Sequence, residues 1–443
     1  MMNEGTASGK RRSQSALTED ETVVDASDGQ DSVAAKLMER ALQRENMQRA
    51  LRQVRRNKGG PGCDGLTVER LPDYLRLHWP EIRIQLLSGT YRPAPVKRVL
   101  IPKPDGGVRS LGIPTVVDRL IQQALLQVLQ PEWDQTFSHS SFGFRPNRSA
   151  HQAVARAQEY LRAGNRWVVD LDLEKFFDTV NHDVLMHRVR QRVQDDRVTT
   201  LVQRFLKSGV SVAKAREPTT RGTPQGGPLS PLLANLLLDE LDKELERRRH
   251  RFVRYADDCN IYVGSRHAGE RVMASIKGFL EKRLKLTVNE QKSAVDRPWN
   301  RRILGFTFTR GKQYRRKVSD KALDALKAKV RRFTQRTRGY SLEQIIRELR
   351  PALLGWKAYF GHAEVVSPLQ DLDKWIRRKL RCYQWKQWGR AGYRRLRALG
   401  VSRELAWNTA KSAHGPWRLS RSPALAYALT HAYFTRLGLP TLA

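Results

Sequence analysis

Two acidic pairs stand out in a chain that is otherwise strongly basic. "FVRYADDCNIYV" (252–263) sets Asp257 and Asp258 between two runs rich in β-branched and aromatic residues, which places both carboxylates at or near a hairpin tip. Acids are common in turns, so this pair alone reads more readily as an ordinary turn than as a metal site. A second source of acids changes the balance: in "DLDLEKFFD" (170–178) strand alternation puts Asp170 and Asp172 on one face and the leucines on the other. If the two strands lie side by side, Asp172 and Asp257 can jointly hold Mg²⁺, a hard cation that prefers carboxylate oxygens and keeps positions open for phosphates. Two such ions about 4 Å apart would activate an attacking hydroxyl and stabilise a pyrophosphate leaving group. They would also offset the mutual repulsion of the clustered acids.

The bulk of the chain fits a phosphate-handling role. Lys and Arg number 81 against 45 Asp and Glu, a formal net charge of +36, and from residue 301 onward there are 32 bases and 8 acids. A charge of that size repels itself unless a polyanion neutralises it, and nucleic acid is the expected partner. Three cysteines, Cys63, Cys259 and Cys382, lie far apart, which gives no disulfide framework and no Cys-based zinc site. The ten histidines show no HxxxH or HExxH spacing, so a catalytic metal would be held by oxygen, and a reducing cytoplasm fits. The longest apolar runs, such as "LLANLLL" (232–238), fall short of the roughly 18 residues of a membrane span. The first 35 residues hold seven acids and three bases and few large apolar residues; they are expected to be a disordered acidic tail over 1–32, neither a signal nor a transit peptide.

With 443 residues and a 40% hydrophobic fraction, the chain has material for about three domains. Helical spacing from Ser32 to Val54 predicts a first helix that ends at the glycine-rich "NKGGPGCDG". "VKRVLIPKPDGGVRSLGIP" (96–114) reads as a hairpin around Pro-Asp-Gly-Gly, Asp118 precedes a helix, and Ser149 caps another that Gly164 stops. A strand over 166–173, polar helical residues to about 207, a helix from the "GTPQGGPLSP" loop to about Arg248, the YADD hairpin, a helix over 267–284 and the strands "KLTVNEQKSAV" and "RRILGFTFTR" follow. These elements interleave without a βαβα beat or a GxGxxG, so an α+β fold with a mainly antiparallel sheet is expected. Beyond Arg310 the pattern turns helical: Ser319 caps one helix, and 367–389 has Ser367 at the cap and Pro368 at the first helical position. The apolar face of the second carries Leu369, Leu372, Trp375 and Ile376, and its remainder is basic, which reads either as a solvated face or as one that tracks phosphates.

Taken in order, these motifs resemble a known family. "YADD", the upstream "DLEKFF" and the intervening "TPQGGPLSPLLANL" resemble a reverse transcriptase. "IPKPDGGVRSLGIP", "SFGFRPNRSAHQAV", "FFDTVNHDVL" and "RPALLGWKAYF" (350–360) narrow the likeness to the bacterial group II intron-encoded maturase–reverse transcriptases, from about residue 35 to the C-terminus. The resemblance implies a right-hand polymerase: fingers and palm over 33–310, a helical thumb and maturase X region over 311–395, and a basic DNA/RNA-binding element over 396–443. It implies that Asp172, Asp257 and Asp258 form the catalytic triad and hold two Mg²⁺ ions, with Asp170 a neighbour outside it. Phe177 matches the steric gate against a ribose 2′-hydroxyl; Lys103 and Arg109 match residues that grip the incoming triphosphate. Gln225 and Gly226 match the loop beside nucleotide and template, and Lys292 matches a lysine near the triphosphate that acts as general acid. "RRILGFTFTR" resembles the primer-grip hairpin, and Trp356, Tyr359, Trp375 and Trp385 are expected to pack the helical region and to stack on bases. The implied partners are the intron RNA, target DNA and dNTPs, without membrane, in the bacterial cytoplasm at the nucleoid. The C-terminal stretch resembles those of relatives without an endonuclease domain, so the primer would come from a nick or a replication fork. Two other readings stay open: a splicing-only RNA-binding maturase, and a domesticated relative that keeps the chemistry in defence or repair.

Overall fold

The N-terminal helical expectation resolves into two helices, α1 (Leu37–Leu42) and α2 (Arg44–Arg56), because Gln43 adopts an extended ψ of 142°. The buried Asn46 amide donates to the Ala41 carbonyl that the break frees, at 2.7 Å, and to Ala124 at 3.1 Å, so the corner leaves that carbonyl satisfied. This computed structural model describes residues 37–102, 107–212, 215–217, 220–224 and 226–443. The expected tail, Lys103 and Gln225 lie outside the described residues. After α3 (Leu71–Leu87), the hairpin β1 (Val96–Pro102) and β2 (Val108–Ile113) forms in the register Lys97↔Ile113 to Pro102↔Val108.

α4 (Val116–Asp134) is capped by Thr115, whose hydroxyl accepts from the Asp118 amide; Asp118 thus sits in the first turn and does not precede the helix. α5 (Ala150–Arg162) has the Ser149/Gln152 capping box, and Gly164 follows at φ 97°. Next come β3 (Trp167–Leu171), α6 (Phe176–Thr179), α7 (His182–Arg192), α8 (Asp196–Lys207), β4 (Val210–Val212), β5 (Ala215–Glu217) and α9 (Ser230–Arg247). The YADD hairpin is β6 (Arg251–Tyr255) and β7 (Asp258–Val263), and α10 (Arg266–Phe279) runs on into a π-helical turn at Leu280–Leu284.

The strand expected over 285–295 shrinks to β8 (Ala294–Asp296). Its middle is a turn in which the Asn289 side chain accepts from the amides of Gln291 and Lys292. A short polar side chain of this kind competes with a ladder for the backbone. β9 (Phe306–Phe308) and β10 (Arg316–Val318) pair antiparallel, and α11 (Asp320–Phe333), capped by Ser319, begins the helical region. α12 (Leu342–Phe360) and α13 (Ser367–Trp388) follow; Val366 is already α-helical in φ and ψ, so Ser367 is the first helical residue and not the cap. A 3₁₀ turn and the short helices α14 (Gly392–Ala398), α15 (Arg403–Lys411), α16 (Pro416–Leu419), α17 (Pro423–Ala428) and α18 (His431–Arg436) complete the chain.

The described strands form three sheets. One has the order β2-β1-β4-β5, with a parallel β1–β4 pair; a second is β10-β9; the third, β6-β7-β3-β8, is wholly antiparallel. The third sheet is buried on both faces at one end. Val169, Leu171 and Ile261 join a core with α4, α7 and α9, whereas Val168, Val253 and Tyr262 join a second core. That second core continues through α11–α13 to Phe434 and Leu442, so the last residues pack into the same apolar interior as the helical region. Trp385 lies in this core and Trp356 stacks on Phe360 at 4.6 Å, while Trp375 carries Arg331 and Lys379 on its ring. Along β3 the cover over one face stops after Val168, and the next residues on that face are Asp170 and Asp172. The acids therefore emerge where the second core ends.

Candidate active site

Strand pairing brings the sequence-distant acids together. β3 and β7 run antiparallel with Asp170 opposite Asn260 and Leu171 opposite Cys259, so the same register carried one step further sets Asp172 beside Asp258. Asp258 is the first residue of β7, and Asp257 belongs to the two-residue turn that joins Tyr255 to it. The other turn residue, Ala256, takes φ 57°, the left-handed conformation that tight hairpins need.

A buried arginine fixes this turn. Arg254 is fully buried, and all five of its N–H groups are used: Nε and Nη2 fork onto Asp242 at 2.8 and 2.6 Å, Nη1 reaches Asn235 Oδ1 at 3.0 Å and the Ala256 carbonyl at 2.9 Å, and Nη2 also meets Ser141 Oγ at 2.8 Å. Asp242 and Asn235 come from the buried face of α9, and a charge pair this deep is tolerated only when every donor has a partner. The "SFGFRPN" segment lies against the same turn. The Phe142 amide donates to the Arg254 carbonyl at 2.9 Å, and a Cβ on Gly143 would stand 2.2 Å from the Ala256 nitrogen, so only glycine allows that approach. Arg145, also buried, holds this segment to Asp134 and to the Ser138 and Ser141 carbonyls. Sequence reasoning passed over Arg254, Asp242 and Gly143; the signal was a cation between Val253 and Tyr255 of β6 and an acid at helical spacing from Leu238 and Leu245 on α9.

Two cavities adjoin the acids. The larger, about 630 Å³, is lined by Asp170, Asp172, Asp258, Lys292 and Arg301 together with residues of α11. The other, about 590 Å³, is lined by Asp257, Phe177, Gly226, Phe144 and Arg119. Asp172 and Asp258 thus face one cavity and Asp257 the other. Among the described residues, no three His, Cys, Asp or Glu side chains gather into a metal-holding group. The acids nevertheless interact: the Asp258 carboxyl is pushed up to about 7 by burial in the cavity wall and then by the charges of Asp257, Asp170 and Asp172, with Lys292 opposing. Asp258 is solvent-exposed along the cavity, where the like charges crowd it. An all-oxygen set short of its counter-charge suits a hard divalent cation better than a soft one.

The remaining predicted residues divide between the cavities. Lys292 stands in the larger one, carried by the Asn289 turn. Phe177 is half-buried in the second, edge-on to Phe176 with ring centroids 5.1 Å apart. Gly226 faces it with φ 137°, and a Cβ there would meet the Gly112 carbonyl at 2.6 Å, so the loop rests directly on β2. Arg109 occupies β2 opposite Ile101; only its backbone position is described. Two residues not singled out earlier line the second cavity as well. Phe144 is 47% exposed with a left-handed φ of 58°, and Arg119 donates from Nη2 to the Gly60 carbonyl at 2.6 Å, holding the glycine-rich segment there.

Comparison with known proteins agrees with this architecture. The family profile described as "Reverse transcriptase (RNA-dependent DNA polymerase)" matches residues 101–308, and "Group II intron, maturase-specific domain" matches 323–400. Protein YkfC of Escherichia coli K12 is 35% identical over 300 residues, 59% of this chain and 79% of that protein. The group II intron-encoded protein LtrA of Lactococcus lactis is 30% identical over 298 residues, 53% of this chain and 48% of LtrA. The putative COX1/OXI3 intron 2 protein of Saccharomyces cerevisiae is 29% identical over 266 residues, 47% of this chain and 31% of that protein. The chain belongs to the group II intron reverse transcriptase/maturase family, whose class is the RNA-directed DNA polymerases. No described helix is long and apolar enough to cross a membrane.

Proposed function

We propose that the chain extends a primer 3′ end along an RNA template at Asp172, Asp257 and Asp258, binds its own intron RNA to assist splicing, and copies that intron into DNA at a target site. The observation that carries the reading is the pairing of β3 with β7, which sets Asp172 beside Asp258 while Asp257 faces the adjoining cavity of Phe177 and Gly226. The acids stand between two recesses, one bounded by the helical region and holding Lys292, the other lined by Phe177 and Gly226.

In this reading Asp172, Asp257 and Asp258 supply part of an oxygen shell, and the nucleotide phosphates complete it. Two Mg²⁺ ions held there would assist loss of the primer hydroxyl proton and balance charge on the leaving pyrophosphate. Phe177 would press against the sugar and leave no room for a ribose 2′-hydroxyl. Lys103 and Arg109 would grip the triphosphate, Gln225 and Gly226 would lie against the base pair, and Lys292 would give a proton to pyrophosphate. The basic helical region, with the excess of Lys and Arg beyond residue 301, would hold intron RNA and target DNA in the bacterial cytoplasm.

The test is extension of a DNA primer annealed to RNA, with dNTPs and Mg²⁺, by the wild type and Asp257→Ala, with intron splicing followed in parallel. Loss of at least about a hundredfold in extension with splicing retained is the expected outcome. If both proteins splice and neither extends a primer, the polymerase reading is wrong and the splicing-only reading replaces it.

A further inference from the structure

We propose that Asp170 and Arg301 form a positioning pair for nucleotide transfer: the pair occupies the oxygens of Asp170, so that it offers none to a cation, and ties Lys292 and the Arg301–Gly305 segment to the strand that leads into Asp172. The inference rests on the polymerase reading above.

By position Asp170 is a third carboxylate in the larger cavity, beside Asp172, which follows β3 directly, and Asp258. Its oxygens are already engaged. Oδ1 accepts from Asn260 Nδ2 at 2.8 Å, and Oδ2 accepts from Arg301 Nε and Nη2 at 2.9 and 2.5 Å. A carboxylate engaged in this way offers no free oxygen to a cation, and Arg301 is the counter-charge to the field that Asp170 still adds at Asp258. Arg301 does more than neutralise, because Nη2 also donates to the Lys292 carbonyl at 2.6 Å and so fixes the turn that holds the lysine in the cavity.

The same guanidinium reaches toward the helical region through its own segment. The Thr307 hydroxyl donates to the Arg301 carbonyl at 3.0 Å, Tyr359 of α12 donates to the Leu304 carbonyl at 2.9 Å, and the Ser319 amide at the start of α11 donates to Gly305 at 3.0 Å. One planar fork therefore joins β3, the Lys292 turn and the segment onto which α11 and α12 are bonded. A lysine could answer the Asp170 charge but not both acceptors in the same fixed geometry.

The experiment compares primer extension on an RNA template by the wild type, R301K, R301M and D170N/R301M, with the Kd for primer–template measured alongside. R301M should lose about tenfold or more in kcat with the Kd within about threefold of wild type. D170N/R301M should recover at least about threefold over R301M, because the uncompensated carboxylate is gone. R301K should fall between R301M and wild type; it keeps the charge and carries the comparison should R301M not fold. Wild-type kcat in R301K, a double variant no faster than R301M, or a loss expressed as weaker primer–template binding would each overturn the proposal. Absence of extension by the wild type would instead refute the polymerase reading.

Discussion

Phe177 lines the second cavity with its ring edge-on to Phe176, and in the proposed function it is the wall beside the nucleotide sugar. A pocket wall of this kind discriminates by what it leaves no room for, and a single group is worth roughly 10–200-fold. Phe177→Ala should therefore raise incorporation of ribonucleotides relative to deoxynucleotides by about that factor, read as the ratio of kcat/KM for rCTP and dCTP on one template. An unchanged ratio would return Phe177 to the role of a core residue. Gly226 acts at the same scale in the opposite sense: its missing side chain lets the loop rest on the Gly112 carbonyl, and its φ of 137° excludes an easy replacement.

At the scale of elements, the hairpin turn is held from beneath by α9. Asp242→Ala would leave Arg254 as a buried cation without its main partner, which costs about 3–5 kcal/mol. Urea melts should show that loss in the midpoint, and a change below about 1 kcal/mol would mean the fork is not what holds the hairpin. α4 offers a pH test. Asp118 is buried, accepting from Tyr91, Thr115 and the Ala94 amide, and burial holds its carboxyl up to about 6. The folded state keeps that proton between an unfolded value near 4 and about 6. The stabilising contribution is thus complete below about pH 4 and is lost as the pH rises through 6. Asp118→Asn, which stays uncharged, should flatten stability across that window by about 2–3 kcal/mol relative to wild type, measured by urea melts at pH 4.5 and 7.5.

Across the whole molecule, the elements legible in the sequence were those that local chemistry decides. The β1–β2 pairing, the Ser149 capping box and the YADD strands declare themselves through turn residues, caps and alternation in the sequence. The break at Gln43 depends on a buried Asn46 reaching α4, and the shortened β8 on an Asn289 turn bonded beneath Asp172; both are tertiary. The acids were readable as types and spacing, but their division between two cavities was not, because one residue of register along β7 decides which way each side chain faces. The pairing of Arg254 with Asp242 and of Asp170 with Arg301 was equally hidden, since local pattern does not name a partner 12 or 131 positions away.

The most direct measurement of the central claim is single-turnover primer extension by Asp172→Asn, Asp257→Asn and their double variant on one RNA-templated primer. Residues that serve one reacting centre act as a unit, so each single change should lose at least about a hundredfold and the double should lose little more than the worse single. Multiplying losses, or a wild-type rate in either single variant, would mean that the acid after β3 and the one at the hairpin do not share one site.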